Sequence, residues 1–286
     1  MDDRPTDVRL TGDVHPADYF RFVEREEIDW ELWTDVLRGR VLGVIFRGAL
    51  APEVCERIRR NFWSSPILKQ AGSNSPNGYG CGPQMVGANG LDRYLDDAEQ
   101  TRAGVDALFT GVEDRAVPAL LDDYRAHLTR QGVNLRLAEL HGRRAGSYKL
   151  RSREASGAYS LVPHDDADTI RRAPYLRGFE VQSARHVCNA LACVENGPGG
   201  ALMVWNIAPD AASRRALGFG DDSFGYPQET LSGFQKVTVP VEAGDMYVFD
   251  VSKVHAVGRR DEEGTYRSSI QWSMSFLDST TVLHWC

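Results

Sequence analysis

The chain has 286 residues, 42% hydrophobic and 26% charged, which is long and apolar enough to bury a substantial core. A formal net charge of -7 gives no electrostatic footprint for a nucleic-acid polymer or an anionic membrane surface. The opening MDDRPTDVRL is acidic where a secretory signal needs a basic and then an apolar segment, and nothing approaches the roughly 18 uninterrupted apolar residues of a membrane span. A cytoplasmic protein, monomeric or homodimeric, acting on a small molecule is expected.

In chain order, VLGVIF at 41–46 reads as a strand, and GALAPEVCERIRRNFW follows with Pro52 and Glu53 suited to the first turn of a helix. Val54, Ile58 and Phe62 recur every four residues as one buried stripe. The glycine-rich stretch at 73–90 has no period and reads as a loop, long enough to be functional. A second helical region places Val117, Leu120, Leu121, Tyr124 and Leu128 on one face before Gly132. From about Leu135 the pattern changes to short alternating or apolar runs (SYKLRS, AYSLV, HVCNALACV, GGALMVWN, FQKVTVPV, DMYVFDV and YRSSIQWSMSF), which suggest a sandwich or barrel of antiparallel strands. Cys55, Cys81, Cys188, Cys193 and Cys286 are odd in number and form no CxxC pair, so neither a disulfide framework nor a zinc knuckle is expected.

The stretch LVPHDDAD at 161–168 sets one histidine beside three aspartates. Taken alone it reads equally as a solvated turn, a helix N-cap or a ligand site. His164 and Asp166 are two apart, so on a strand or its exit they share a face. His255, 91 residues later, lies just past the predicted strand MYVFDV. Two imidazoles and one carboxylate make the facial triad that leaves open positions on ferrous iron. Asp165 and Asp168 are read as turn or capping residues, with Asp165 as a minor alternative ligand. Arg267 lies 12 residues beyond His255 on a strictly alternating strand, where Ile270, Trp272, Met274 and Phe276 face one way and Arg267, Ser269, Gln271 and Ser273 the other. An arginine and a serine two apart on a polar face suit a carboxylate clamp.

PHDD with His164 and Asp166, then His255, then Arg267-Ser268-Ser269 closely resembles the iron(II)- and 2-oxoglutarate-dependent dioxygenases. The match covers roughly residues 135 to 280. It implies an α+β protein, one catalytic domain over 1–286, with a mainly helical portion (1–134) packed on a double-stranded β-helix, jelly-roll or cupin-like, over 135–286. It further implies that His164, Asp166 and His255 hold Fe(II), that Arg267 and Ser269 hold 2-oxoglutarate, and that O2 is the oxidant. GPGGALMVWN and VTVPVEAGDMYVFDVSKVHAVGR are similar to a bacterial subgroup of hydroxylases and radical halogenases acting on amino acids and natural-product precursors. In those halogenases Gly or Ala replaces the carboxylate ligand, so Asp166 implies hydroxylation.

Asn189 and the pair Trp205-Asn206 lie on predicted strands that could reach the metal or its cosubstrate. Tyr79, Gln84, Arg143, Arg144, Arg151, Glu154, Trp205 and Asn206 are candidates for the substrate pocket, each equally readable as a solvated charge or core aromatic. Other readings stay open: the same chemistry on a nucleoside or another metabolite, with desaturation or epimerisation as outcomes, a cupin-like metal binder without 2-oxoglutarate turnover, and a helical phosphohydrolase using His141. The remaining histidines, His15, His127, His186 and His284, are read as surface or satisfied core groups.

Overall fold

The computed structural model describes residues 9–70, 78–85, 90–112, 116–154, 158–166, 170–171, 173–219 and 225–286. Four helices precede the barrel: α1 (Trp30–Leu37), α2 (Pro52–Trp63), α3 (Leu91–Asp106) and α4 (Val117–Arg130). Three of them start where the sequence supplies a cap or a proline. The Asp29 carboxylate accepts the Leu32 amide at 3.0 Å at the head of α1, and α2 and α4 carry a proline in the first turn.

Between and after these helices run β1 (Phe22–Arg25), β2 (Gly43–Phe46), β3 (Lys69–Gln70), β4 (Gly78–Cys81) and β5 (Asn134–Leu137). The strands of the barrel follow: β6 (Lys149–Glu154), β7 (Tyr159–His164), β8 (Cys188–Glu195), β9 (Leu202–Trp205), β10 (Lys236–Val239), β11 (Met246–Asp250), β12 (His255–Gly258), β13 (Tyr266–Asp278) and β14 (Thr281–Trp285). The larger sheet has the order β1-β2-β11-β8-β13-β6-β4-β3, with β14 on the far half of β13 and β5 beside it. The smaller sheet has the order β7-β12-β9-β10 and is antiparallel throughout.

From β6 to β13 the chain passes back and forth between the two sheets, which is the double-stranded β-helix. Its interior is packed by Leu191, Cys193, Tyr247 and Phe249 from one sheet and Leu202, Val204 and Val239 from the other. The outer face of the larger sheet, with Leu150, Ala190, Ala192, Ile270, Trp272 and Met274, packs on the helices through Trp33, Ile58, Phe62 and Tyr124. The alternation expected along β13 is thus a division between two environments, helix-side core and barrel interior.

Two elements differ from the sequence expectation. The glycine-rich stretch contains β4, which pairs with β6, because its backbone can pair whatever its side chains. His255 does not trail a strand; it opens one of its own, β12.

Candidate metal centre

His164 ends β7 and His255 begins β12, and the two are register partners across an antiparallel pair. Their rings stand 4.3 Å apart between centroids, and both residues are buried. Asp166 lies two residues beyond β7, its backbone amide donating to the Val251 carbonyl at 3.1 Å. Its Oδ1 is 3.5 Å from His164 Nε2 and its Oδ2 3.8 Å from His255 Nε2. One ligand atom from each residue lies within 4.8 Å of the others.

The orientation of each ligand is fixed from behind. His164 Nδ1 donates to the Val162 carbonyl at 2.8 Å and His255 Nδ1 to the Lys253 carbonyl at 2.9 Å, which leaves both Nε2 atoms as lone-pair donors toward Asp166. The Phe249 ring meets His255 edge-on at 5.1 Å. Asp166 Oδ2 accepts from Asn189 Nδ2 at 2.7 Å, and Asn189 Oδ1 accepts from Ser273 Oγ at 2.7 Å. Burial, and then the neighbouring His255, push the His164 imidazole below its usual range, so it is neutral and competent to ligate at pH 7. Burial would raise the Asp166 carboxyl, but His164, His255 and Lys149 outweigh it and hold the group low, as a carboxylate. Two imidazoles and one carboxylate, with no further His, Cys, Asp or Glu in the group among the described residues, fit a divalent iron ion with open positions.

Arg267 is buried on the inner face of β13. Its Nη2 donates to the Tyr247 hydroxyl at 2.7 Å and its Nη1 to the Gly200 carbonyl. Gly200 has φ +69° and Gly199 φ +82°, a turn that places this carbonyl and that other residues would strain. Ser269 is buried two residues on, on the same face. No carboxylate pairs with Arg267 among the described residues, so its remaining donors face the interior.

Of the eight substrate candidates, only Arg151 faces the barrel interior, opposite Ser269. Tyr79 lies opposite Ser152 on the outer face, packed edge-on against Trp63 at 5.4 Å. Arg143 pairs with Asp92 at 2.8 Å and Asp96 at 2.5 Å on α3. Trp205 points to the other side of the smaller sheet and packs with Leu10, Ile207 and Tyr226. The Asn206 side chain is taken up by the His15 backbone, accepting from its amide at 3.0 Å and donating to its carbonyl at 2.8 Å. Gln84 and Arg144 are exposed, and Glu154 lies outward opposite Tyr266. Asn189 meets the triad through Asp166.

Asp165 is not part of a solvated turn. It is buried, with Arg214 Nη1 at 2.6 Å and the Tyr226 hydroxyl at 2.6 Å on its Oδ2; Asp168 lies outside the described residues. His141 is exposed at a turn with φ 50°, outside the triad. His284 is buried, and among the described residues its Nδ1 has no partner, so it is not a fully satisfied core group. Two residues that sequence reading missed share the inner face with Arg151: Lys149 and Arg153. The signal was present as K-x-R-x-R, alternating with Leu150 and Ser152.

No protein-family model matches the chain. It is 26% identical over 272 residues to an L-isoleucine 3(1)-dioxygenase from Pantoea ananatis, covering 90% of each sequence. Among solved structures, an N-substituted L-amino acid dioxygenase from Burkholderia ambifaria superposes with a TM-score of 0.52 at 13% identity, over 96% of this chain and all of that one. The same Burkholderia protein in complex with α-ketoglutarate gives 0.52 at 12% identity, over 90% and 91% of the two chains. At those identities the structural likeness is one of fold. The fold, the sequence kinship along nine-tenths of the chain and a His-Asp-His triad on the β-helix point the same way, and in each the chain is similar to iron(II)- and 2-oxoglutarate-dependent dioxygenases.

Proposed function

We propose that the protein hydroxylates an unactivated C–H bond of a small amino acid or amino-acid derivative, using ferrous iron, 2-oxoglutarate and O2. The observation that carries this reading is the convergence of His164, Asp166 and His255, with both imidazoles already committed by their Nδ1 atoms to present Nε2. The amino-acid class is supported by the Pantoea relative, an isoleucine dioxygenase by name.

Iron and 2-oxoglutarate, when bound, supply the oxidant: one oxygen atom of O2 enters the substrate as a hydroxyl and the other enters succinate as CO2 leaves. The chain supplies the rest. His164, Asp166 and His255 hold the ion. Asn189 and Ser273 keep the Asp166 carboxylate from turning away. Arg267, fixed by Tyr247 and Gly200, offers its remaining N–H groups to the distal carboxylate of 2-oxoglutarate, with Ser269 beside it. Leu191, Val204 and Phe249 line an apolar interior that limits water near the reacting centre. A cytosolic setting fits five buried, free cysteines.

The test is succinate release with ferrous iron, 2-oxoglutarate and O2 across amino acids and their derivatives, with mass spectrometry of each product. One compound should stimulate succinate release and gain one oxygen atom, and Asp166→Ala or His255→Ala should remove that stimulation. Folded protein that binds neither ferrous iron nor 2-oxoglutarate would refute the reading.

A further inference from the structure

Strand β6 carries three cations on one face. Leu150 and Ser152 point outward, Leu150 into the helix-side core and Ser152 to Ser268 Oγ at 3.0 Å. Lys149, Arg151 and Arg153 therefore point inward, lying opposite Gln271, Ser269 and Arg267. Successive members stand about 7 Å apart along the strand. All three are half-buried and all feel the Asp166 carboxylate, so the row faces the triad.

None of the three, nor Arg267, has an acidic partner among the described residues, and Arg153 Nε is buried with no hydrogen bond. Burial, and then Arg151 alongside, push Lys149 down to about 8 and Arg153 down to about 9. A row of like charges in a half-buried wall is costly in the empty protein, and its compensation must arrive with a ligand. The cosubstrate does not suffice. Its two carboxylates are balanced by the two positive charges of the ion, which leaves the four interior cations facing Asp166 and the Cys286 thiol, which burial pushes up to about 12 and so keeps uncharged. A zwitterionic amino acid adds no net charge, and its ammonium would meet the row with no acidic acceptor beside it on the inner face of these strands.

Resting on the dioxygenase reading above, we infer that Lys149 and Arg151 form a carboxylate-binding subsite and that the substrate enters as a net anion, an amino-acid derivative with an uncharged amine or an added acidic group. Arg153, paired in register with Arg267, belongs to the cosubstrate end.

The experiment uses the full chain loaded with nickel(II) and 2-oxoglutarate, which does not turn over, titrated calorimetrically with L-isoleucine, N-acetyl-L-isoleucine and L-glutamate. At least one of the two anions should bind about tenfold tighter than L-isoleucine, more weakly as salt rises, the scale of one charge-assisted hydrogen bond. Lys149→Met and Arg151→Met should each remove about that factor while 2-oxoglutarate affinity stays within about twofold. In the ligand-free protein Lys149→Met should leave Tm equal or higher, since it relieves repulsion; this readout shows that the variant folds. The inference is overturned if L-isoleucine binds as well as both anions, if neither anion binds, or if both variants keep full anion affinity. Any of these with 2-oxoglutarate still bound leaves the dioxygenase reading standing; failure of the wild-type chain to bind 2-oxoglutarate overturns both.

Discussion

Asn189 shows how much of a metal site lies behind its ligands. Its amide takes a hydroxyl from Ser273 on one side and gives an N–H to Asp166 on the other. Removing the amide frees the carboxylate without touching a ligand, so Asn189→Ala is expected to weaken ferrous-ion binding about 10- to 100-fold. Metal titration checks this, with Asn189→Gln and Ser273→Ala as graded companions. Arg267→Ala should raise the KM for 2-oxoglutarate about tenfold or more, because a buried charge-assisted pair is lost, and steady-state succinate kinetics measure it. The ligands and Arg267 were legible because residue type, order and spacing, His164-x-Asp166, then a distant His255, then Arg267 12 residues on, together match a known pattern. Asn206 was not, since its partner His15 is 191 residues away and only the fold brings them together. Lys149 and Arg153 were half legible: the alternation was plain, but nothing local says which face of β6 is inside.

Among elements, β13 carries the greatest double duty. Arg267, Ser269, Gln271 and Ser273 face the barrel interior while Ile270, Trp272 and Met274 face the helices. Trp272 lies 6.2 Å from Trp33, and Trp33 lies parallel to Phe46 at 6.0 Å, so one aromatic stack ties α1 to two strands of the larger sheet. Trp272→Ala should cost about 3–5 kcal/mol, seen as a lower denaturant midpoint at unchanged m, and Trp272→Phe appreciably less. The helices α2 and α4 and most of the barrel strands were readable from apolar period and turn residues. Strand β12 was not, because HAVG is too short to show a period, and β4 was hidden by composition, since GYGC carries few side chains that favour a strand.

At the scale of the whole molecule, the buried histidines set the response to acid. His284 lies in β14, away from the triad, and burial, aided by Arg125, pushes it down to about 3 from the ordinary 6.5. The unfolded chain takes up a proton at this residue as pH falls below 6.5, while the folded chain does not until about 3. Between those values the unfolded state binds more protons, so stability rises with pH and is lost on acidification. Thermal unfolding of the metal-free protein should give a falling Tm from pH 6.5 to 4, and His284→Leu should flatten that limb. A limb of unchanged slope in the variant would assign the acid sensitivity to other groups.

The pairing of His164 with His255 across two neighbouring strands has a consequence for how the protein is made. The two residues are 91 apart in the chain, yet they are direct cross-strand partners. A growing polypeptide that has not yet delivered β12 presents one imidazole and one carboxylate and cannot close the site. Iron capture therefore reports that the barrel has been completed in the right register, since a slip of one residue would turn His255 to the far side. Once captured, the ion acts as a rivet on that seam, adding about 2.7 kcal/mol to stability when free metal stands a hundredfold above its dissociation constant. Stripping it with a chelator should lower Tm, and restoring ferrous iron should return it. In the cell, then, supply of the metal would govern not only turnover but how long each finished chain survives surveillance by proteases.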